Sequence, residues 1–167
     1  MALAQTCEPD APAAYVLAKV CGSLAFASVV AALLFGVAAI GAHVRMPATH
    51  WASLAIVLVL GTLPFCALGL ALGLLVRPTS AASTVNLVYL PMSFCAGLWV
   101  PITQLPPSLQ AFAPVLPTYH LGRLALAAVG FSSGSVLVHI AVLLAWTVAG
   151  IAVATWAFAR DTGRTYG

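Results

Sequence analysis

"CAGLWVPITQLPPSLQAFAPVLPTYHLGRLALAAVG", residues 95–130, carries five prolines yet is as apolar as the chain around it. An exposed loop of that length should be polar. A helix crossing a bilayer should not be interrupted at Pro101, Pro106, Pro107, Pro114 and Pro117, each lacking a backbone donor. The flanking sequence decides between these readings.

Of 167 residues, 63% are hydrophobic and 5% charged, with a mean hydropathy of +1.11, where a soluble domain carries roughly 25% charged residues. This is the composition of a membrane protein. No Asp or Glu occurs between Asp10 and Asp161, and the cations in that interval are Lys19, Arg45, Arg77, Arg123 and Arg160. A net charge of +3 on scattered groups excludes a nucleic-acid footprint, which needs clustered Lys and Arg. The segment MALAQTCEPDAPAAY has no Lys or Arg, so it lacks the positive start of a secretory signal, and the mature chain is expected to begin here. Cys7, Cys21, Cys66 and Cys95 lie 14, 45 and 29 positions apart, matching neither metal-ligand spacing nor a compact disulfide framework.

A spanning helix needs about 20 apolar residues. Residues 20–42 supply one run, ended by His43, Arg45, Pro47 and Thr49, and residues 51–76 a second, ended by Arg77 and Pro78. Residues 83–100, with Thr79 and Ser80 ahead and Pro101 behind, form a shorter third. Residues 136–158 form a fourth, closed by Arg160, Asp161 and Arg164. The expected fold is all-α and polytopic, with four transmembrane helices in a single membrane domain over 1–167. Four spans put both termini on one side with Lys19, Arg77, Arg160 and Arg164, against Arg45 and Arg123 opposite. The positive-inside rule then makes the termini cytoplasmic.

Residues 101–134 consequently begin and end on the outer side. Pro106 and Pro107 can open a short helix, because first-turn N–H groups have no helical partner anyway, and Ser108–Ala113 can complete it before Pro114. After Pro117 a second helix, Thr118–Val129, has an apolar stripe of Leu121, Leu124, Ala125 and Ala128, with His120 and Arg123 off it. Neither piece can cross about 30 Å of hydrocarbon. Residues 104–130 therefore read as a re-entrant or interfacial helical hairpin between spans three and four, with Arg123 reaching to the outer headgroups. Gly69 and Gly73, and Ser28, Ala32 and Gly36, offer small-residue seams for helix packing, within the chain or between chains. Pro64 and Pro91 predict bends within spans two and three.

The ordered pattern of Gly97 and Trp99 before Pro101, the Leu105-Pro106 step, Leu109-Gln110, and Pro117 with Tyr119, His120 and Leu121 ahead of Arg123 resembles the last third of type-two (ABC-2 type) ABC exporter permeases. YVLAKV at 15–20 resembles the entry to that family's third span, and ARDTGRTYG its cytoplasmic C-terminus. The resemblance implies a membrane-spanning permease subunit that forms the path for drug-like, lipid or polysaccharide substrates. It also implies a bacterial inner-membrane location and contact with membrane lipid. A separate ATP-binding-cassette subunit would bind ATP and Mg, with the permease paired as a homodimer or with another permease. The first two spans of the family have no counterpart in this sequence, so a truncated, non-transporting structural or regulatory partner is the alternative. Gly97, Pro101, Pro106, Pro117, Tyr119, His120 and Arg123 are the motif positions of the hairpin, which in that family caps the exit of the path.

The residues independently favour a passive part driven from elsewhere. With Lys19 the only lysine, there is no GxxxxGK[ST] phosphate cradle, so no ATP hydrolysis is expected in this chain. Proton-coupled transport commonly uses intramembrane carboxylates or histidines; here there is no carboxylate, and only His139 near the edge of span four. His43, His50 and His120 lack a third ligand of matched spacing, so no metal site, and no catalytic or cofactor-binding residue, is expected.

Overall fold

The computed structural model describes residues 11–76, 80–131 and 134–162. The Arg77-Pro78-Thr79 connection, Cys7 and the tail beyond Thr162, with Arg164, lie outside the described residues. Within them all regular structure is helical: α1 (Ala11–Gly36, prolonged by a π turn at Val37–Gly41), α2 (Ala48–Leu60), α3 (Leu63–Leu75), α4 (Ala81–Cys95), α5 (Pro107–Phe112), α6 (Pro117–Ala128) and α7 (Val136–Thr162). Single 3-10 turns occur at Ile102–Gln104 and Ala113–Val115.

Three stretches are long and apolar enough to cross a membrane: Val16–Gly41, Ala48–Leu75 and Val136–Phe158. They coincide with the first, second and fourth apolar runs of the sequence. The third run is a shorter apolar helix, α4, which ends at Cys95 and not at Val100. The stop comes from Gly97, not Pro101. Its φ of 80° is left-handed, and Leu98 N–H donates to Ser93 O (3.2 Å) while Gly97 N–H donates to Phe94 O (3.0 Å). These bonds satisfy the orphan carbonyls of the last turn in a Schellman closure that favours glycine.

The second run, Ala48–Leu75, is interrupted at residues 61–62, just ahead of Pro64. Gly61 N–H closes α2 on Val57 O (2.8 Å), and α3 restarts with the fully buried Pro64 in its first turn. Pro64 thus stands in the first turn after the interruption, where its missing N–H costs little. Pro91 does lie inside α4, as expected.

The most extensive pairing is α3 with α7. It is built on small residues: Ala67 and Ala71 of α3 and Ala154 of α7 are buried. A Cβ placed on Gly150 would sit 2.8 Å from Ala67 Cβ and 3.0 Å from its carbonyl carbon. Lipid supplies no hydrophobic drive between helices, so such close backbone approach is what holds them. The seams read from the sequence are different ones. Gly36, Gly69 and Gly73 would meet nothing within 4 Å if given a Cβ, so they make no close contact among the described residues. Gly69 and Gly73 instead border an open groove with Lys19, Ser23 and Cys66. Elsewhere Phe35 packs edge-on to Trp51 (5.0 Å), joining α1 to α2, and Tyr89 Oη donates to Phe65 O (2.8 Å), joining α4 to α3.

Candidate functional site

The proline-rich stretch folds as two short helices, α5 and α6, between α4 and α7. Pro107 and Pro117 each stand in a first turn, and Pro106 and Leu116 before them are extended, the conformation that a following proline imposes. Gln110 Nε2 donates to Leu105 O (2.7 Å), tying α5 to the turn ahead of it. At its far end α6 closes as α4 does: Phe131 N–H donates to Leu126 O (3.0 Å), Gly130 N–H to Ala127 O (3.1 Å), and Gly130 has φ of 92°.

α6 is the keystone of this end of the molecule, packing on α2, α4 and α7. Leu121 abuts Gly61 at the α2–α3 break, and a Cβ there would overlap Leu121 Cδ1. Thr118 Oγ1 donates to Met92 O (3.2 Å) on α4. Buried Leu116 packs with Met92 and Ala96 against Phe65, Tyr89 and Tyr119.

His120 departs from the sequence reading. Expected off the apolar stripe, it is one of the most buried residues of α6, 4% exposed, and His139 of α7 is 7% exposed. Their Nδ1 atoms lie 2.7 Å apart, and His120 Nε2 is 2.8 Å from Pro114 O. A carbonyl only accepts, so His120 Nε2 carries the hydrogen, and with the ring neutral its Nδ1 is a lone-pair acceptor. His139 Nδ1–H is therefore the donor between the rings. A buried polar ring is tolerated when both nitrogens are bonded, and His120 meets that condition. Trp146 Nε1 of α7 donates to Val115 O (3.0 Å), next to the carbonyl His120 takes. Two side-chain bonds thus fasten the 3-10 turn at Ala113–Val115 and α6 onto α7.

Arg123 also differs from expectation. Its Nε is buried, and the guanidinium lies 5.6 Å from the Tyr119 ring centroid, so the side chain folds back over an aromatic face instead of only reaching outward. It borders a cavity of about 410 Å³ with Tyr119, Gly97, Pro101 and Thr103. Gly97, Pro101, Tyr119 and Arg123 therefore share one cavity, whereas Pro106 is exposed ahead of α5 and Pro117 is fully buried under α6. A second cavity, about 290 Å³ and apolar, lies between the α2–α3 break, Leu124 and α7. His50 stands beside Gly130, whose added Cβ would be 3.4 Å from His50 Cε1. Among the described residues no three His, Cys, Asp or Glu side chains gather as a metal site.

The sequence profile of the ABC-2 type transporter family matches residues 10–129, a stretch that runs from the start of α1 through α6. The chain belongs to the ABC-2 type transporter family. It is a membrane protein of that family, with three stretches among the described residues long and apolar enough to cross a membrane. It is 32% identical over 95 residues to the "Putative transport permease YvfS" of Bacillus subtilis (strain 168), a match covering 57% of this chain and 38% of that protein. The chain thus spans well under half the length of that relative. No solved structure matches it.

His139 lies beyond the profile match and outside the hairpin motif. The sequence offered one signal for it, a polar residue near the start of an otherwise charge-free run.

Proposed function

We propose that the chain forms the translocation path of an ATP-driven exporter, crossing the cell membrane at α1, α2–α3, α4 and α7 with both termini in the cytoplasm. The hairpin α5–α6 then lies at the outer surface as a re-entrant cap, and a separate ATP-binding-cassette subunit hydrolyses ATP with Mg. What carries this reading is the hairpin itself. A motif matched by the family profile is folded as a discrete element that contacts α2, α4 and α7 together. An element so placed can transmit movement between spans to the mouth of the path.

Several features support the division of labour. The chain has no carboxylate between Asp10 and Asp161 and a single lysine, so it lacks the usual groups for carboxylate-coupled proton transport or phosphate binding. The walls of the 290 Å³ cavity are almost wholly apolar, which suits the apolar part of a drug-like or lipid substrate. Pairing with a second permease chain, identical or not, would complete the path.

The test is affinity purification in mild detergent from the native cell, followed by reconstitution of whatever co-elutes. Co-elution of an ATP-binding-cassette subunit whose ATP turnover requires this chain is the expected result. A chain that purifies with other membrane subunits but no ATPase would instead be a non-transporting structural or regulatory partner.

A further inference from the structure

We propose that the cavity bordered by Arg123 and Tyr119 binds the phosphate headgroup of an anionic membrane phospholipid, whose tail lies along the apolar walls of the same cavity. The site requires that the chain stand in a bilayer and does not depend on export.

α6 joins two levels of the Ala48–Leu75 stretch. Leu121 abuts Gly61, at the middle of that stretch, and Gly130 stands beside His50, near its start. Arg123, two residues on from Leu121, therefore lies between the centre of a membrane-spanning stretch and its end. A guanidinium at such a level is expensive to keep, and ionisable groups inside a membrane face cavities and mark the places where polar ligands are handled. Arg123 fits this description, since its Nε is buried and its side chain lines a cavity of about 410 Å³.

The walls of that cavity select the ligand. The Arg123 guanidinium lies 5.6 Å from the centroid of the Tyr119 ring, a cation–π contact that holds the charge at the cavity wall. Thr103 adds a hydroxyl, and Leu98, Ile102 and Leu126 supply apolar surface. Leu98 and Leu126 are also exposed, so the cavity reaches the outside of the molecule, and the neighbouring Trp99 is exposed as well, an amphipathic ring of the kind that sits at headgroup level. None of the lining residues is acidic.

A guanidinium fork matches two oxygens of one phosphate group. The ammonium of a zwitterionic headgroup would meet Arg123 and no carboxylate, whereas a free phosphate ion would leave the apolar walls uncovered. An anionic phospholipid satisfies both the cation and the walls. Arg123 has a further contact within the chain, and with five N–H donors its guanidinium can hold a phosphate as well. Because the turn that leaves α4 forms one side of the cavity and α6 the other, a lipid seated there ties the hairpin to α4.

The test uses the full chain in phosphatidylcholine nanodiscs and needs neither an ATPase nor a transported substrate, so its failure is distinct from failure of the transport reading. The probe is a small fraction of phosphatidylglycerol carrying a photoreactive diazirine near the top of one acyl chain, with the labelled residues mapped by mass spectrometry. Crosslinks are expected within residues 96–103 and 119–126, suppressed by excess unlabelled phosphatidylglycerol but not by further phosphatidylcholine or by inorganic phosphate. Arg123→Gln should lower this labelling about tenfold, the loss of one charge-assisted pairing. Arg45→Gln, at an exposed cation between α1 and α2, should leave it unchanged. Crosslinks spread evenly over the long helices, equal suppression by phosphatidylcholine, or equal losses in the two variants would overturn the site. Suppression by inorganic phosphate would also overturn it, by assigning the cavity to a soluble anion. If Arg123→Gln fails to fold, the wild-type map and its competition still decide.

Discussion

The Nδ1 atoms of His120 and His139 face each other at 2.7 Å across the junction of α6 and α7, with both rings withdrawn from the surface. His120 bonds at both ends, to His139 and to Pro114 O, and so joins the 3-10 turn, its own helix and α7.

Removing either ring leaves a buried polar group unsatisfied, at a cost of about 1–3 kcal/mol. His120→Phe orphans His139 Nδ1–H and removes the bond to Pro114 O, and His139→Phe orphans His120 Nδ1, so each should destabilise. The double variant should lose less than the sum of the two, because the second substitution removes a group the first has already orphaned. Denaturation in mixed micelles, run as a double-mutant cycle, measures the coupling. Additive losses would mean the rings do not interact.

Gly97 allows the chain to leave α4. Its φ of 80° is costly for any residue with a side chain, and a Cβ would stand 3.1 Å from Ile102 Cβ and 3.3 Å from Ile102 N. Gly97→Ala should cost roughly 1–2 kcal/mol from the backbone term alone. The loss should appear in the same unfolding measurement, along with faster amide exchange at Leu98, whose N–H closes the turn.

Glycines on the long helices should divide sharply. Gly150→Ala forces α7 away from the Ala67 backbone and should lose about 1–3 kcal/mol by overpacking. Gly69→Ala and Gly73→Ala meet nothing within 4 Å and should leave the stability of the isolated chain within about 0.5 kcal/mol. Comparing the three variants in one detergent checks this, and equal losses would contradict the α3–α7 packing.

At the rim of the larger cavity, Arg123→Gln removes the cation from the Tyr119 ring, a contact that ordinarily contributes about 0.5–1 kcal/mol when exposed and more when desolvated. Within the proposed exporter, Pro101→Ala, Pro117→Ala and Arg123→Gln should lower export by altering the hairpin while leaving assembly intact. Export assays in membranes, normalised to the amount of assembled complex, provide the readout. Unchanged export in all three would retire the hairpin's role in gating.

Much of this fold was legible because charge and length are local properties. A run such as residues 136–158, without one charged group, permits little but a long apolar helix, and α7 follows it closely. The prolines likewise marked the starts of α5 and α6 to within a residue, since a missing N–H fits a first turn. Helix ends were read less well. Pro101 looked like the stop of α4, but Gly97 ends the helix earlier, because a left-handed glycine can satisfy the final carbonyls where a proline cannot.

The sequence by itself determined that this chain is a membrane protein of helices, with a proline-rich element too short-pieced to span and a motif that assigns it to the ABC-2 type transporter family. Tertiary structure alone decided which polar groups are partners. His120 and His139 stand 19 positions apart on different helices, and no periodicity announces that their rings meet. It also decided which small residues pack: Gly150 against Ala67, and not Gly69 or Gly73, although all three glycines look alike in a list of letters. The physical reason is the same in both cases. Composition fixes what a segment must do with its backbone and its apolar surface, whereas hydrogen bonds and close backbone approach depend on distances of a few ångströms between segments.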